Sequence, residues 1–146
     1  MTSYEHRTWW SAHDLTVRLR NPSFLEAAVI AAFVLGAADG GVSAEEYDAL
    51  LDRLQILGDV DRDAIDGHLT AAARALDTDG FEPMIARAAG LLVDRPAREA
   101  ALLLSLAIAL ADDDFSPPER AMAARLCAAL GLADVDLDGL VAVLRG

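Results

Sequence analysis

Ala38-Asp39-Gly40-Gly41-Val42-Ser43-Ala44-Glu45-Glu46 joins an almost wholly apolar run to an amphipathic one. Seventy-three residues later Ala111-Asp112-Asp113-Asp114-Phe115-Ser116-Pro117-Pro118-Glu119 stands between the same two kinds of segment. Shifting the chain by 73 residues aligns Glu26-Ala27-Ala28 with Glu99-Ala100-Ala101, Ala38-Asp39 with Ala111-Asp112, Ser43 with Ser116 and Glu46 with Glu119. Leu57-Gly58, Asp61 and Asp63 fall on Leu130-Gly131, Asp134 and Asp136, which makes eleven identities between Glu26 and Asp63 without a gap. Shared alanines alone would reflect composition. The coincidence of an Asp at a helix exit, a cap residue and a helix-ending Gly in one register marks an internal duplication.

Each copy begins with an apolar helix, expected over Ser23 to Ala38 after Pro22 and over Arg98 to Ala111. Helices with no polar face are enclosed by others, so this pair should form the centre. The helix after each loop is amphipathic: Tyr47, Leu50, Leu51, Leu54 and Leu57 follow the i, i+3, i+4, i+7 pattern, and Met122, Leu126, Ala129 and Leu130 repeat it more weakly. Gly58 and Gly131 are expected to end these helices in the left-handed conformation. Ser11 and Asp14 should cap a short first helix carrying Leu15, Val17 and Leu19, anchored by Trp9 and Trp10. Asp61 or Asp63 opens a helix striped by Ile65, Leu69, Ala72 and Leu76; Phe81 to Val93 bridges the copies, and Asp136 opens the last helix.

The expected architecture is one all-α domain of about eight helices with no strand. Residues 1–22 form an N-terminal segment with a short helix, and residues 23–146 the domain proper. Its first repeat covers about 23–76, the bridging helix about 81–93 and the second repeat about 96–146.

Composition agrees with this and narrows the function. The 146 residues are 54% hydrophobic but only 5% aromatic, so small aliphatic side chains must fill the core. Twenty-four acids face twelve bases, all arginine, and the net charge of -12 opposes binding to nucleic acid or anionic lipid. The apolar runs Ala27 to Ala38 and Ala100 to Ala111 are each twelve residues, short of the roughly 20 needed to span a bilayer. MTSYEHRTWW has no apolar signal region, and a cytoplasmic location is expected. Cys127, between Leu126 and Leu130, reads as a small core residue.

The loops carry what specificity there is. Ser43 with Glu46 and Ser116 with Glu119 fit the capping box, in which hydroxyl and carboxylate satisfy each other's backbone N–H groups. Pro117 suits the first helical turn. Gly40 and Gly41 take positive φ cheaply and Asp113 tolerates it, while Val42 and Phe115 should plug inward. Asp39 and Asp112 are different, because a carboxylate at a helix C-terminus sits against the negative end of the macrodipole and needs compensation. Two arrangements are open. Antiparallel central helices would bring Glu99 near Asp39 and Glu26 near Asp112; a different axis would pool Asp39, Glu46, Asp112 and Glu119.

Other chemistries fit poorly. Asp134-Val135-Asp136-Leu137-Asp138-Gly139 imitates the start of an EF-hand loop, but Arg145 stands where a bidentate Glu is required. Asp59, Asp61 and Asp63 precede Ala64 rather than the required Gly. His6, His13 and His68 lack metal-ligand spacing, and no phosphate loop or nucleophile elbow occurs. No catalytic residue is assigned.

An Ala-rich apolar helix running into A-D-G-x-x-S-x-x-E, duplicated in one domain of this length, resembles the TerB family linked to tellurite resistance, over roughly residues 20 to 145. It is also similar to the helical domain preceding the J-domain in membrane co-chaperones. The resemblance implies a compact fold of two pseudo-symmetric halves and a divalent cation (Mg²⁺, Ca²⁺, Mn²⁺ or Zn²⁺) held by Asp39, Glu46, Asp112 and Glu119. It further implies a non-catalytic binding or scaffold module in a stress-response or membrane-linked complex, with a basic or membrane-associated protein as partner. A metal-dependent enzyme using the paired carboxylates and a structural oligomerisation domain are the alternatives. The chain departs from the pattern at Asp113, where Gly is usual, and at Gly41, where an acidic or amide residue is common.

Overall fold

Two cap residues 73 positions apart start the two central helices. In the computed structural model, which describes residues 12–58, 60–111 and 115–145, the Asn21 side chain accepts hydrogen bonds from the N–H groups of Ser23 (2.9 Å) and Phe24 (3.1 Å). The Asp94 carboxylate accepts one from Ala97 (2.8 Å). Such caps satisfy donors that a helix cannot satisfy itself. Both helices therefore start earlier than expected, α2 at Pro22 and α6 at Arg95, because proline is admitted in a first turn where its missing N–H costs nothing.

Eight helices are present among the described residues, and no strand: α1 (Ala12–Leu19), α2 (Pro22–Gly36), α3 (Ala44–Gly58), α4 (Arg62–Asp79), α5 (Phe81–Leu91), α6 (Arg95–Leu110), α7 (Pro117–Ala129) and α8 (Leu137–Arg145). The duplication maps α2, α3 and α4 onto α6, α7 and α8, with α5 as the bridge. Asp136 opens α8 as expected, accepting from the Gly139 N–H at 3.1 Å. Asp61 is the N-cap of α4, although its side chain makes no capping bond. Ser11, Trp9 and Trp10 lie outside the described residues.

Every residue of α2 from Ala27 to Leu35 is buried, and the helix packs on α1, α3, α4, α5, α6 and α7. Its alanines at 27, 28, 31 and 32, with Ala100 and Ala101 of α6, are nearly inaccessible, so backbones approach closely where larger side chains would hold them apart. Around this pair close Leu50, Leu51 and Leu54 of α3, Ile65 and Leu69 of α4, and Leu126 of α7. Cys127 is buried with them, and burial pushes its thiol up to about 11. The chain bends by 108° between α1 and α2, and no single described helix is long and apolar enough to cross a membrane.

The exits from α3 and α7 differ. Gly131 adopts φ 71°, the Leu132 N–H reaches the Cys127 carbonyl (2.8 Å) and the Gly131 N–H that of Ala128 (3.1 Å), closing α7 in a Schellman motif with Leu132 buried. Gly58, by contrast, is the last residue of α3 itself. Arg98 has nothing in its sequence context to single it out. Its guanidinium donates to the carbonyls of Ala89 (3.3 Å), Leu92 (2.9 Å) and Leu130 (3.2 Å), placing one cation on the C-terminal ends of both α5 and α7.

Close packing at the centre makes a direct prediction. Ala101→Leu has no room to be accommodated and should lower stability by about 1–3 kcal/mol, whereas Ala128→Leu on the exposed side of α7 should change it by less than about 0.5 kcal/mol. Urea unfolding followed by circular dichroism distinguishes the two, and equal costs would mean that the centre is not close-packed.

Candidate functional site

Both capping boxes form. The Glu46 N–H donates to Ser43 Oγ (3.1 Å) while Glu46 Oε1 accepts from the Ser43 N–H (2.9 Å); Glu119 and Ser116 repeat this at 3.2 and 3.0 Å. The two boxes nevertheless have different surroundings. Ser43 and Glu46 are exposed, whereas Glu119 is only 9% exposed. Ser116 also reaches across to the other repeat, where its hydroxyl donates to Asp39 Oδ1 at 2.8 Å. One oxygen thus accepts the helix-capping N–H of its own repeat and compensates the carboxylate at the C-terminal end of α2 in the other.

For Asp39 that bond favours the second of the two arrangements, because it ties Asp39 to the start of α7 rather than to Glu99. Glu26 pairs instead with Arg87, and Glu99 with Arg95 at 3.1 Å. Asp39, Glu46 and Glu119 line one cleft of about 90 Å³. Its walls are built from equivalent positions of the two repeats, Gly36 with Ala109 and Glu46 with Glu119, so the cleft lies between the repeats rather than within one. Asp112, with Asp113 and Asp114, lies outside the described residues. Val42 and Phe115 pack half-buried against the core, as expected for inward plugs, and Gly40 and Gly41 adopt φ of 121° and 154°.

The cleft contains one group that sequence reasoning does not find. Arg53 lines it beside the acids. Glu46, Ala49, Leu50 and Arg53 follow i, i+3, i+4, i+7 along α3, so the spacing is visible, but the same helix also carries a stronger apolar stripe. The lining acids offer hard oxygen donors, which suit Mg²⁺, Ca²⁺ or Mn²⁺ better than Zn²⁺. Among the described residues, no group of three or more His, Cys, Asp or Glu side chains comes close enough to hold a metal ion by itself. Donor chemistry therefore fits a hard cation, while the described side chains alone do not close a coordination shell.

The EF-hand imitation has a structural explanation. Arg95 forks onto Asp134 (2.8 and 3.1 Å), Asp136 caps α8, and Asp138 pairs with Arg120. All three carboxylates are thus engaged with protein groups. Tyr47 links α3 to α4 by donating to the Asp66 carboxylate and meeting Thr70 Oγ1 at 3.0 Å; burial first, and then that carboxylate, raises its pKa.

Together these features define an all-helical domain of two repeats in which Asp39 and Glu46 of the first meet Ser116 and Glu119 of the second beside a buried pair of helices. The chain matches the family model described as tellurite resistance protein TerB over residues 25–141, and it belongs to the TerB family. No curated protein and no solved structure gives a significant match.

Two measurements follow. Ser116→Ala removes a cap and the bridge to Asp39 and should cost about 1–2 kcal/mol, against about 0.5–1 kcal/mol for the exposed cap in Ser43→Ala; equal losses in urea unfolding would remove the bridge as a stabilising element. Arg95 holds the Asp134 carboxyl below its ordinary pKa. The charged form is therefore favoured in the folded state, and this contribution is present above the ordinary carboxylate pKa and lost as pH falls through the lowered one. The melting temperature of Asp134→Asn should lie below that of the wild type at neutral pH and converge with it in strong acid. A gap that persists there would contradict the assignment.

Proposed function

We propose that this TerB-family domain is a non-catalytic binding module of a stress-response or membrane-linked complex that takes a divalent cation between its two acidic loops. The convergence of Asp39, Glu46 and Glu119 on one cleft between the repeats carries this reading. Asp39, Glu46 and Glu119, with Asp112 from the second loop, would hold the ion. A bound cation would neutralise their charge and tie the two loops together, adding to the Ser116–Asp39 bond. Arg53 opposes it, since a guanidinium in the cleft already offsets part of the negative charge.

Calorimetric titration with Mg²⁺, Ca²⁺, Mn²⁺ and Zn²⁺ tests the proposal. Wild-type protein should bind one of the three hard cations in preference to Zn²⁺, and Asp39→Ala and Asp112→Ala should each weaken that binding by about tenfold or more. Arg53→Gln should strengthen it by about three- to tenfold, because a like charge leaves the site. Absence of heat with all four cations in the wild type would end the cation proposal, and unchanged affinity in both Asp variants would move the site elsewhere.

A further inference from the structure

The loop that carries Asp39 into the acidic cleft also forms the wall of a second, larger depression. Gly40, Gly41 and Val42 face a groove of about 470 Å³ bounded by the C-terminal end of α2, the N-terminal part of α3, the last turns of α4 and the start of α5. Phe33 forms part of its floor and is buried, whereas Val42, Tyr47, Leu76 and Phe81 are half-buried and present apolar surface from four separate elements. Ala73 lies between them. Gly40 and Gly41 have nothing within 4 Å of where a Cβ would stand, so the loop side is open backbone.

Charge distinguishes this groove from its neighbours. The cavities beside α1, beneath the α4–α5 corner and between the repeats each have an arginine in their lining, Arg18, Arg87 and Arg53 respectively. The apolar groove has none among the described residues. Its one charged lining residue there is Asp77. Asp66 lies on the same face of α4, at i with Thr70, Ala73 and Asp77 at i+4, i+7 and i+11, and holds the Tyr47 hydroxyl at the rim. A chain of net charge -12 also disfavours a second copy of itself as occupant.

We infer that this groove docks a short apolar segment of a partner protein, one or two aliphatic or aromatic side chains flanked by arginine or lysine. The apolar side chains enter between Val42, Leu76 and Phe81, and the flanking cations meet Asp77 and Asp66 at the rim. Affinity in such a site comes mainly from the buried anchors, and the charges select orientation and partner. The inference rests on the reading of the domain as a binding module. It does not require the cation cleft to be occupied.

The test uses the full chain in excess chelator, so that failure here is separate from failure of the cation titration. The probe is a synthetic peptide of about a dozen residues with leucines at i and i+4 flanked by arginines. It is compared with one peptide carrying glutamates in place of the arginines and another carrying serines in place of the leucines. Binding is read by fluorescence anisotropy and by amide shifts in the ¹⁵N-labelled protein. The leucine–arginine peptide should shift Gly40, Gly41, Ala73 and Leu76, and each control peptide should bind about tenfold or more weakly. Ala73→Leu, which fills the groove, should weaken binding by a similar factor. Asp77→Arg, at the rim and outside the buried core, should weaken it by about threefold or more at low salt and less at high salt. Equal binding of the serine peptide would reduce the effect to bulk charge and overturn the inference. So would shifts confined to other surfaces, no binding at all, or self-association that Ala73→Leu abolishes, which would make a second copy the occupant.

Discussion

The fold depends on a helix that has no face to give to solvent. α2 is buried from Ala27 to Leu35 and meets six other helices, so every other element is constrained by the need to enclose it. Alanine makes that possible. A leucine-rich helix would hold its neighbours at wider spacing and leave gaps between them, whereas Ala27, Ala28, Ala31 and Ala32 bring α6 and the flanking helices against the backbone. The duplication supplies the principal partner, since α6 is the same kind of helix with Ala100 and Ala101 in equivalent places.

The ends of these helices leave backbone groups that no intrahelical bond satisfies. The solutions are polar and local. Asn21 and Asp94 cap the starts of α2 and α6, and Arg98 gathers carbonyls from the ends of α5 and α7. Ser116 combines two such roles, because its one hydroxyl both receives a cap N–H and supports Asp39. Asp39 and the start of α7 are thereby held together by the machinery that caps the helices.

Much of this is legible in the sequence, and the reasons are specific. The two capping boxes, the apolar character of the central pair and the opening of α8 at Asp136 are local signals, set by residues within a few positions of one another, and the repeat is those signals recurring in one register 73 residues later. The relation between the repeats is not local. No spacing rule says whether Asp39 meets Glu99 or Ser116, since that depends on how two enclosed helices pack. Arg53 and Arg98 escape notice for a similar reason: an arginine on an amphipathic or apolar helix reads as solvated charge until the fold shows which carbonyls or carboxylates lie opposite. The expected helix starts, Ser23 and Arg98, fall late because they follow the apolar runs, whereas the first turns also include Pro22 and Pro96, which a first turn accepts. Asn21 and Asp94, 73 residues apart, carry the correct boundary.

The loop after α2 faces two ways, and its sequence divides accordingly. Asp39 turns toward the other repeat and the acidic cleft, while Gly40, Gly41 and Val42 turn toward the apolar groove under Tyr47 and Phe81. Positive φ at Gly40 and Gly41 permits this reversal within two residues, in conformations that a side chain would strain. The second loop has Asp113 and Asp114 in those places, so the duplicated chain has kept the acid at the helix exit in both copies and the glycine pair in only one. Gly41, where the second loop has Asp114, is therefore also a position that keeps the apolar groove free of a further carboxylate. Polar recognition between the repeats and apolar recognition beside the first repeat are consequences of one short segment being able to turn.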